Sequence, residues 1–313
     1  MQFNKVLVTG AGGLMGRYVV AELAPHTTVT GLDLGPADGV AEHTIGSIED
    51  KDAVVRAMQG CDAVIQIAGR PNQWAGTGTE IIQTNTVGVW NILEAAEEVG
   101  VRRVIVTSSD SVVGYTVLHG AMIPPDYLPV DLAHPLRPTD PYALSKVLGE
   151  RIARSFVDRG KLEVTVIRPV YVLYPEFEGE VRARAERPDT YKGPEAGGRQ
   201  PAGGGAMWHY VDPRDVARAF RLALEAETPG FGPYFISGAT TLAPDPTVSR
   251  LEKRTGRDIE VRDPAVYQRN PYAPLYDLSP AREHLGYEPV HDLRKKLVPR
   301  VPTAKSVSFP GER

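Results

Sequence analysis

Three side chains in this sequence could share one proton-transfer chemistry. In PYALSK (141–146), Tyr142 and Lys146 are four residues apart on a helical pattern, so they lie on one face about a turn apart. A cation near a phenol favours the phenolate, which lets the hydroxyl act as acid or base near neutral pH. Ser109 closes the apolar run VRRVIVTSS (101–109), where its hydroxyl could hold a reacting oxygen beside the phenol. Tyr–Lys pairs at this spacing are common on helix surfaces, so the pair gains meaning from the start of the chain. In KVLVTGAGGLMG (5–16), a short apolar run meets Gly10, Gly13 and Gly16 and then a helical pattern. Gly10 allows a tight turn, Gly13 lets backbone approach a pyrophosphate, and Gly16 lets the helix pack close to the strand. The helix N-terminus then offers free N–H groups and the positive end of its dipole to phosphates. Asp33 ends the next strand pattern, where a carboxylate can bind a ribose diol and repel a 2′-phosphate; no arginine follows in LGPADG (34–39). The motif predicts NAD in preference to NADP.

These groups need a scaffold, and the chain alternates short β-type runs with longer helical patterns. Strands are expected at 6–10, 28–33, 62–69, 101–109 and 163–170, with helices at 14–24, 50–59, 81–99 and 142–159. Val- and Ile-rich runs separated by helices imply an α/β fold: a doubly wound parallel sheet covered on both faces. A helix over 210–227 with Asp212 as a possible N-cap and a last strand over 234–238 return to that sheet. The division expected is a Rossmann domain, 1–170 with 207–238, and a smaller, irregular substrate-binding region, 171–206 with 239–313. That region holds one plausible helix (247–255) and a possible strand (259–261). At 313 residues, 42% hydrophobic and 24% charged, the composition is that of an ordinary globular protein. A net charge of −4 gives no argument for nucleic acid or an anionic membrane, and no apolar run is long enough to span one. The single cysteine, Cys61, reads as a small core hydrophobe, and a cytoplasmic setting is expected. The seven histidines include no pair at metal-ligand spacing, so no metal is assigned.

With TGAGGLMG (9–16), Asp33, GSIED (46–50), DAVIQIAG (62–69), NTVGVWNILEAA (85–96), TSSDSVVG (107–114), PYALSK, RPVYVLYP (168–175), YVDPRDVA (210–217) and LGYEP (285–289) in family order, the chain resembles the extended short-chain dehydrogenases/reductases of the NAD-dependent epimerase/dehydratase type. The resemblance implies Tyr142 as catalytic acid/base and Lys146 as the group that binds the nicotinamide ribose and lowers the tyrosine pKa. Ser109 would polarise the substrate oxygen, and Asn85 would support a proton-relay water. It also implies cofactor contacts from Leu14, Met15 and Ser47, Ile48 against the adenine, Ala68 and Gly69 along the cofactor, and Pro169 and Val170 beside the nicotinamide. A homodimer through the helices at 81–99 and 142–159 is a further expectation from the same source.

Departures from the family's subgroups narrow the chemistry. Sugar-nucleotide dehydratases resemble TDE after the first serine; here Ser109, Asp110 and Ser111 supply no Glu, so water elimination lacks its base. Nucleotide-sugar epimerases resemble RYFNVYGP and RDFIHVDD, whose Asn and Arg hold the diphosphate; Tyr171 and Trp208 stand in those places. A desolvated diphosphate needs charge-assisted donors, although Arg182, Arg184 and Arg199 could compensate. What remains is alcohol oxidation or carbonyl reduction on a smaller, sugar-like substrate, with epimerisation of a nucleotide sugar as the alternative. The uronate and aldose 1-dehydrogenases resemble SSNHVIG at the serine strand, where this chain has SSDSVVG (108–114). Asp110, Ser111, Gln73, Trp74 and Tyr171 are the candidate sugar contacts, and Arg70, Arg182 or Arg184 could meet a substrate carboxylate.

Overall fold

The computed structural model describes residues 3–114, 123–186, 208–227 and 229–298. Five strands, β1 (Lys5–Thr9), β2 (Thr28–Asp33), β3 (Glu42–Ile45), β4 (Ala63–Gln66) and β5 (Arg103–Thr107), are joined through α1 (Gly16–Leu23), α2 (Lys51–Met58) and α3 (Gly78–Val99). The short β6 (Tyr127–Leu128) precedes α4 (Pro141–Asp158), β7 (Glu163–Pro169), α5 (Glu178–Glu186), α6 (Pro213–Glu225) and β8 (Tyr234–Ile236). Seven strands form one parallel sheet in the order β3-β2-β1-β4-β5-β7-β8. The order reverses between β1 and β4, which opens a crevice at the strands' carboxyl ends.

Alternation along β1 sends Val6 and Val8 to one face and Leu7 to the other. The first face packs against Val19, Val20 and Leu23 of α1 and Val216 and Phe220 of α6. The second packs against Val54 of α2, Ile92 of α3 and Phe156 of α4. Helix boundaries follow side chains that cap them. Asp50 accepts from the N–H of Asp52 and Ala53, Thr77 and Glu80 form a capping box, and Asp140 and Asp212 accept from Ala143 N and Arg214 N. Gly100, at φ 83°, ends α3 in the left-handed conformation.

The smaller region carries α7 (Thr247–Thr255), β9 (Glu260–Val261), α8 (Pro264–Arg269), α9 (Ser279–Leu285) and α10 (Arg294–Leu297). Here β9 pairs with β6, and a separate cluster of Leu173, Val181, Trp208, Tyr210, Leu242 and Leu297 packs together. It is fastened to the sheet domain at named points. Asp215 in the first turn of α6 accepts from Val290 N and His291 N, and Arg17 pairs with Glu176 at 2.5 Å.

Several elements were not expected from the sequence, among them β6 and the short helices α8, α9 and α10. β3 was not expected, because EHTI is an exposed edge strand with Ile45 turned to solvent and carries no apolar run. α5 falls in a stretch expected to be loose, since its charged sequence presents no apolar face. The side chain of Arg184 and the whole of 197–206, Arg199 included, lie outside the described residues.

Candidate active site

The phosphate-loop geometry starts at Gly10, whose φ of 72° is left-handed and whose added Cβ would stand 2.8 Å from Ala68 N. A Cβ at Gly16 would lie 1.9 Å from the Gly10 carbonyl oxygen, so no side chain fits between α1 and the turn. Gly12, which the sequence reading passed over, is equally constrained: its Cβ would meet the Pro36 carbonyl oxygen at 2.3 Å. Gly12, Gly13 and Leu14 are exposed along the crevice, and Met15 is half-buried as the N-cap of α1.

Asp33 braces this loop. Its Oδ2 accepts from Gly12 N at 2.9 Å and its Oδ1 from Leu34 N at 2.6 Å. Ile48 is buried beneath α3 because Gly88 leaves it room, a Cβ there falling 2.2 Å from Ile48 Cδ1. Asn91 Nδ2 donates to the Ile48 carbonyl at 2.9 Å and fixes that loop, while Ser47 Oγ accepts from Glu49 N. Gln66, also absent from the sequence reading, stitches neighbouring strand ends: its Nε2 donates to Ala68 O and its Oε1 accepts from Thr107 N. Pro169 and Val170 are buried at the end of β7.

Tyr142 and Lys146 lie a turn apart on α4, the ammonium 5.6 Å from the phenol ring centre. The Ser109 hydroxyl acts on the phenol in the sense that favours the phenolate. Burial pushes the Tyr142 hydroxyl well above its ordinary value, opposed by Ser109 and reinforced by the charges of Asp110 and Asp140. The sequence argument had the cation favouring the phenolate; without a cofactor, desolvation is the larger influence. Burial likewise lowers Lys146 to about 8, against the upward pull of Glu150. Its Nζ donates to the Thr107 carbonyl at 2.9 Å.

Asn85 is buried and fully engaged. Its Oδ1 accepts from Arg70 N at 2.8 Å, and its Nδ2 donates to Arg70 O and to Ser145 Oγ. Ser145 Oγ donates in turn to the Tyr142 carbonyl, so Asn85 ties the Gly69–Arg70 turn to the helix bearing the phenol. That arrangement fixes the helix bearing the phenol against the turn after β4.

Asp110 sits beside Ser109 in a short 3-10 turn, Asp110–Val113. Ser109 Oγ donates to its Oδ1 at 3.2 Å, and Tyr276 OH donates to its Oδ2 at 2.8 Å. His209 Nε2 lies 3.0 Å from the same Oδ2. Neither His209 nor Tyr276 figured in the sequence reading, since each meets Asp110 across a long separation that no local spacing signals. Ser111 and Gln73 are buried, Tyr171 is half-buried, and Trp74 is exposed on the loop after β4. Arg70 is spent on its own loop, Nη1 donating to Ala75 O, and Arg182 is exposed on α5. Among the described residues no cluster of potential ligands could hold a metal ion, and no helix is long and apolar enough to cross a membrane.

A parallel sheet with a glycine turn at its switch point and a Ser/Tyr/Lys group at an adjacent strand end defines a dinucleotide-dependent oxidoreductase scaffold. The chain belongs to the NAD-dependent epimerase/dehydratase family, whose model matches residues 6–236. It is 35% identical over 175 residues to a uronate dehydrogenase of Pseudomonas syringae pv. tomato, a match covering 53% of this chain and 58% of that protein. It therefore spans little more than half the length of that relative. To the L-arabinose 1-dehydrogenase (NAD(P)(+)) of Haloferax volcanii it is 30% identical over 229 residues, 72% of this chain and 84% of that enzyme. The crystal structure of a short-chain dehydrogenase/reductase superfamily protein from Agrobacterium tumefaciens with bound NAD superposes with a TM-score of 0.69, 26% identity, and coverage of 94% of this chain and 95% of that one.

The residues present fit NAD as cofactor. The cradle at Gly10, Gly12 and Gly16 excludes side chains, and the Asp33 carboxylate lies against that turn, where a carboxylate could accept from a ribose diol. A 2′-phosphate there would bring like charges together. NADH is expected to bind at least about tenfold more tightly than NADPH, roughly 1.4 kcal/mol, and Asp33→Asn to narrow that ratio; equal affinities in fluorescence titrations of the wild type would contradict the assignment of Asp33.

Proposed function

We propose that this protein is an NAD-dependent oxidoreductase that oxidises a hydroxyl of a free, sugar-like substrate, with Tyr142 as the acid/base. The observation that carries the reading is the placement of Lys146 one turn from Tyr142, its ammonium 5.6 Å from the phenol ring centre and bonded to the Thr107 carbonyl at the carboxyl end of β5, next to Ser109. NAD, when bound, supplies the hydride acceptor. Ser109 holds the reacting oxygen, and Tyr142 takes the proton of the substrate hydroxyl. Lys146 lends the positive charge that offsets desolvation of the phenol and is placed to hold the nicotinamide ribose. The turn amides at 10–16, Asp33, Ile48, Ala68 and the Pro169–Val170 pair are the groups that would hold the rest of the cofactor.

Two features favour a small substrate over a nucleoside diphosphate sugar. Trp208 is buried against Leu173 and Tyr210, and Tyr171, where the epimerases place an asparagine, packs on the same cluster. Neither offers a charged donor. Both relatives named above are described as sugar or uronate dehydrogenases, which agrees with net oxidation. A homodimer is part of the reading: Val87 and Trp90 of α3 and Leu144 and Leu148 of α4 are exposed apolar residues on adjoining helices, suited to a second copy.

The test is incubation with NAD and a panel of aldoses and uronates, followed at the NADH absorbance. Net NADH formation is the expected outcome. Conversion of a UDP-sugar to its epimer without net NADH would replace this reading with the epimerase one, and sedimentation as a monomer at micromolar concentration would remove the dimer.

A further inference from the structure

We infer that His209 is a specificity-determining residue whose Nδ1 accepts a hydrogen bond from a hydroxyl of a neutral sugar; this rests on the sugar-oxidising reading above and adds the substrate's charge class. The contact between His209 Nε2 and Asp110 Oδ2 at 3.0 Å assigns the ring proton to Nε2, because a carboxylate only accepts. In the neutral imidazole the other nitrogen is then a bare lone pair. It is buried, and among the described residues it has no partner. A buried acceptor left unmet costs about 1–3 kcal/mol, which makes this one a natural place for a donor brought by a ligand.

Three further observations put the ring at the reacting centre. Asp110 links it directly to Ser109, whose Oγ donates to Oδ1 while Oδ2 faces the imidazole. The Ser111 hydroxyl, on the same turn as Asp110, and both polar atoms of the Gln73 amide, on the loop after the adjacent strand β4, are also buried without partners among the described residues. Trp208, immediately before His209, holds φ at 58°, a left-handed conformation unusual for a bulky residue. Such strain persists where surrounding structure demands it, and it concentrates at functional sites.

The charge pattern selects the substrate. A sugar hydroxyl can donate to Nδ1, whereas a substrate carboxylate would meet a lone pair with the Asp110 charge behind it. Among the described residues, Arg168 is held by Glu150 in a bidentate pair and Arg70 donates to Ala75 O. The pocket therefore favours a neutral polyhydroxylated ring over a uronate.

The test is steady-state kinetics with NAD on L-arabinose, D-galactose, 2-deoxy-D-galactose, 6-deoxy-D-galactose and D-galacturonate, for the wild type, His209→Leu and His209→Asn. The wild type is expected to oxidise a neutral sugar with kcat/KM at least about tenfold above D-galacturonate. His209→Leu should raise KM for that sugar about 10–100-fold with NADH affinity unchanged, and should lose the wild-type discrimination against one deoxy analogue. Asn can donate through Nδ2 to Asp110 and accept through Oδ1, so His209→Asn should recover most of the loss. Preference for D-galacturonate in the wild type overturns the charge class. Turnover of a neutral sugar with KM and deoxy discrimination unchanged in either variant overturns the role of His209 alone. Absence of NADH formation with every sugar overturns the oxidoreductase reading itself. Should His209→Leu not fold, the wild-type deoxy series and the Asn variant decide the matter.

Discussion

Tyr142→Phe is expected to lower kcat for sugar oxidation by about 10²–10⁴-fold, the range for a positioned acid/base, while NADH binds with nearly wild-type affinity. The substitution removes one oxygen and leaves the ring, and with it the Lys146 contact, in place. The glycine turn and Asp33 are contributed by β1 and β2, on the other side of the switch point, so the cofactor's adenosine and phosphates lose nothing. The pH profile makes the test sharper. Because burial holds the phenol protonated, oxidation by the wild type should accelerate as pH rises toward neutrality and beyond, until Lys146 begins to lose its charge near pH 8. A cation with a lowered pKa is charged below that value and neutral above it, so the acceleration should flatten there. In the Phe variant the residual rate should carry no rising limb. A Phe variant with kcat within a factor of about three of the wild type, too small a loss for a positioned acid/base, would remove Tyr142 from proton transfer.

What could be read from the sequence divides along a physical line. Patterns that are local in the chain were legible: β2 spans Thr28–Asp33 as expected, α7 spans Thr247–Thr255 as expected, and Asp212 caps α6. Each of these is set by periodicity or by a cap two residues away. The glycine turn is legible for the same reason, yet Gly12 was not, because its constraint comes from Pro36 across a loop. The expected phenol–ammonium pairing is present as a juxtaposition, but a spacing of four says nothing about how dry the surroundings are. Dryness is what raises Tyr142 and lowers Lys146. Asp110 was visible as a candidate, while its partners His209 and Tyr276 arrive from distant segments and depend on how the smaller region folds back over the sheet. Exposed edges and uniformly charged helices, such as β3 and α5, leave no apolar signature at all.

The same logic brings out a second support of the site that local patterns conceal. Glu150 lies one turn beyond Lys146 on α4 and is buried, as is Arg168 on β7. Arg168 donates to both carboxylate oxygens at 2.7 Å, and Ser108 Oγ donates to Oε1 at 2.5 Å. Glu150→Gln should destabilise the protein by about 3–5 kcal/mol, because it strands a guanidinium away from water. Replacing both partners, Glu150→Leu with Arg168→Met, should recover much of that loss, since no uncompensated charge then remains. Stability and activity should part company in the double variant. The Glu150 charge pulls the Lys146 pKa upward against desolvation, so without it the ammonium titrates below about 8 and is depleted first at mildly alkaline pH. The double variant is therefore expected to unfold at a denaturant concentration near that of the wild type and yet to lose activity, more at pH 8 than at pH 6. An activity loss uniform across that interval would show that Glu150 acts through packing, and a double variant no more stable than Glu150→Gln would show that the buried pair is itself a net source of stability.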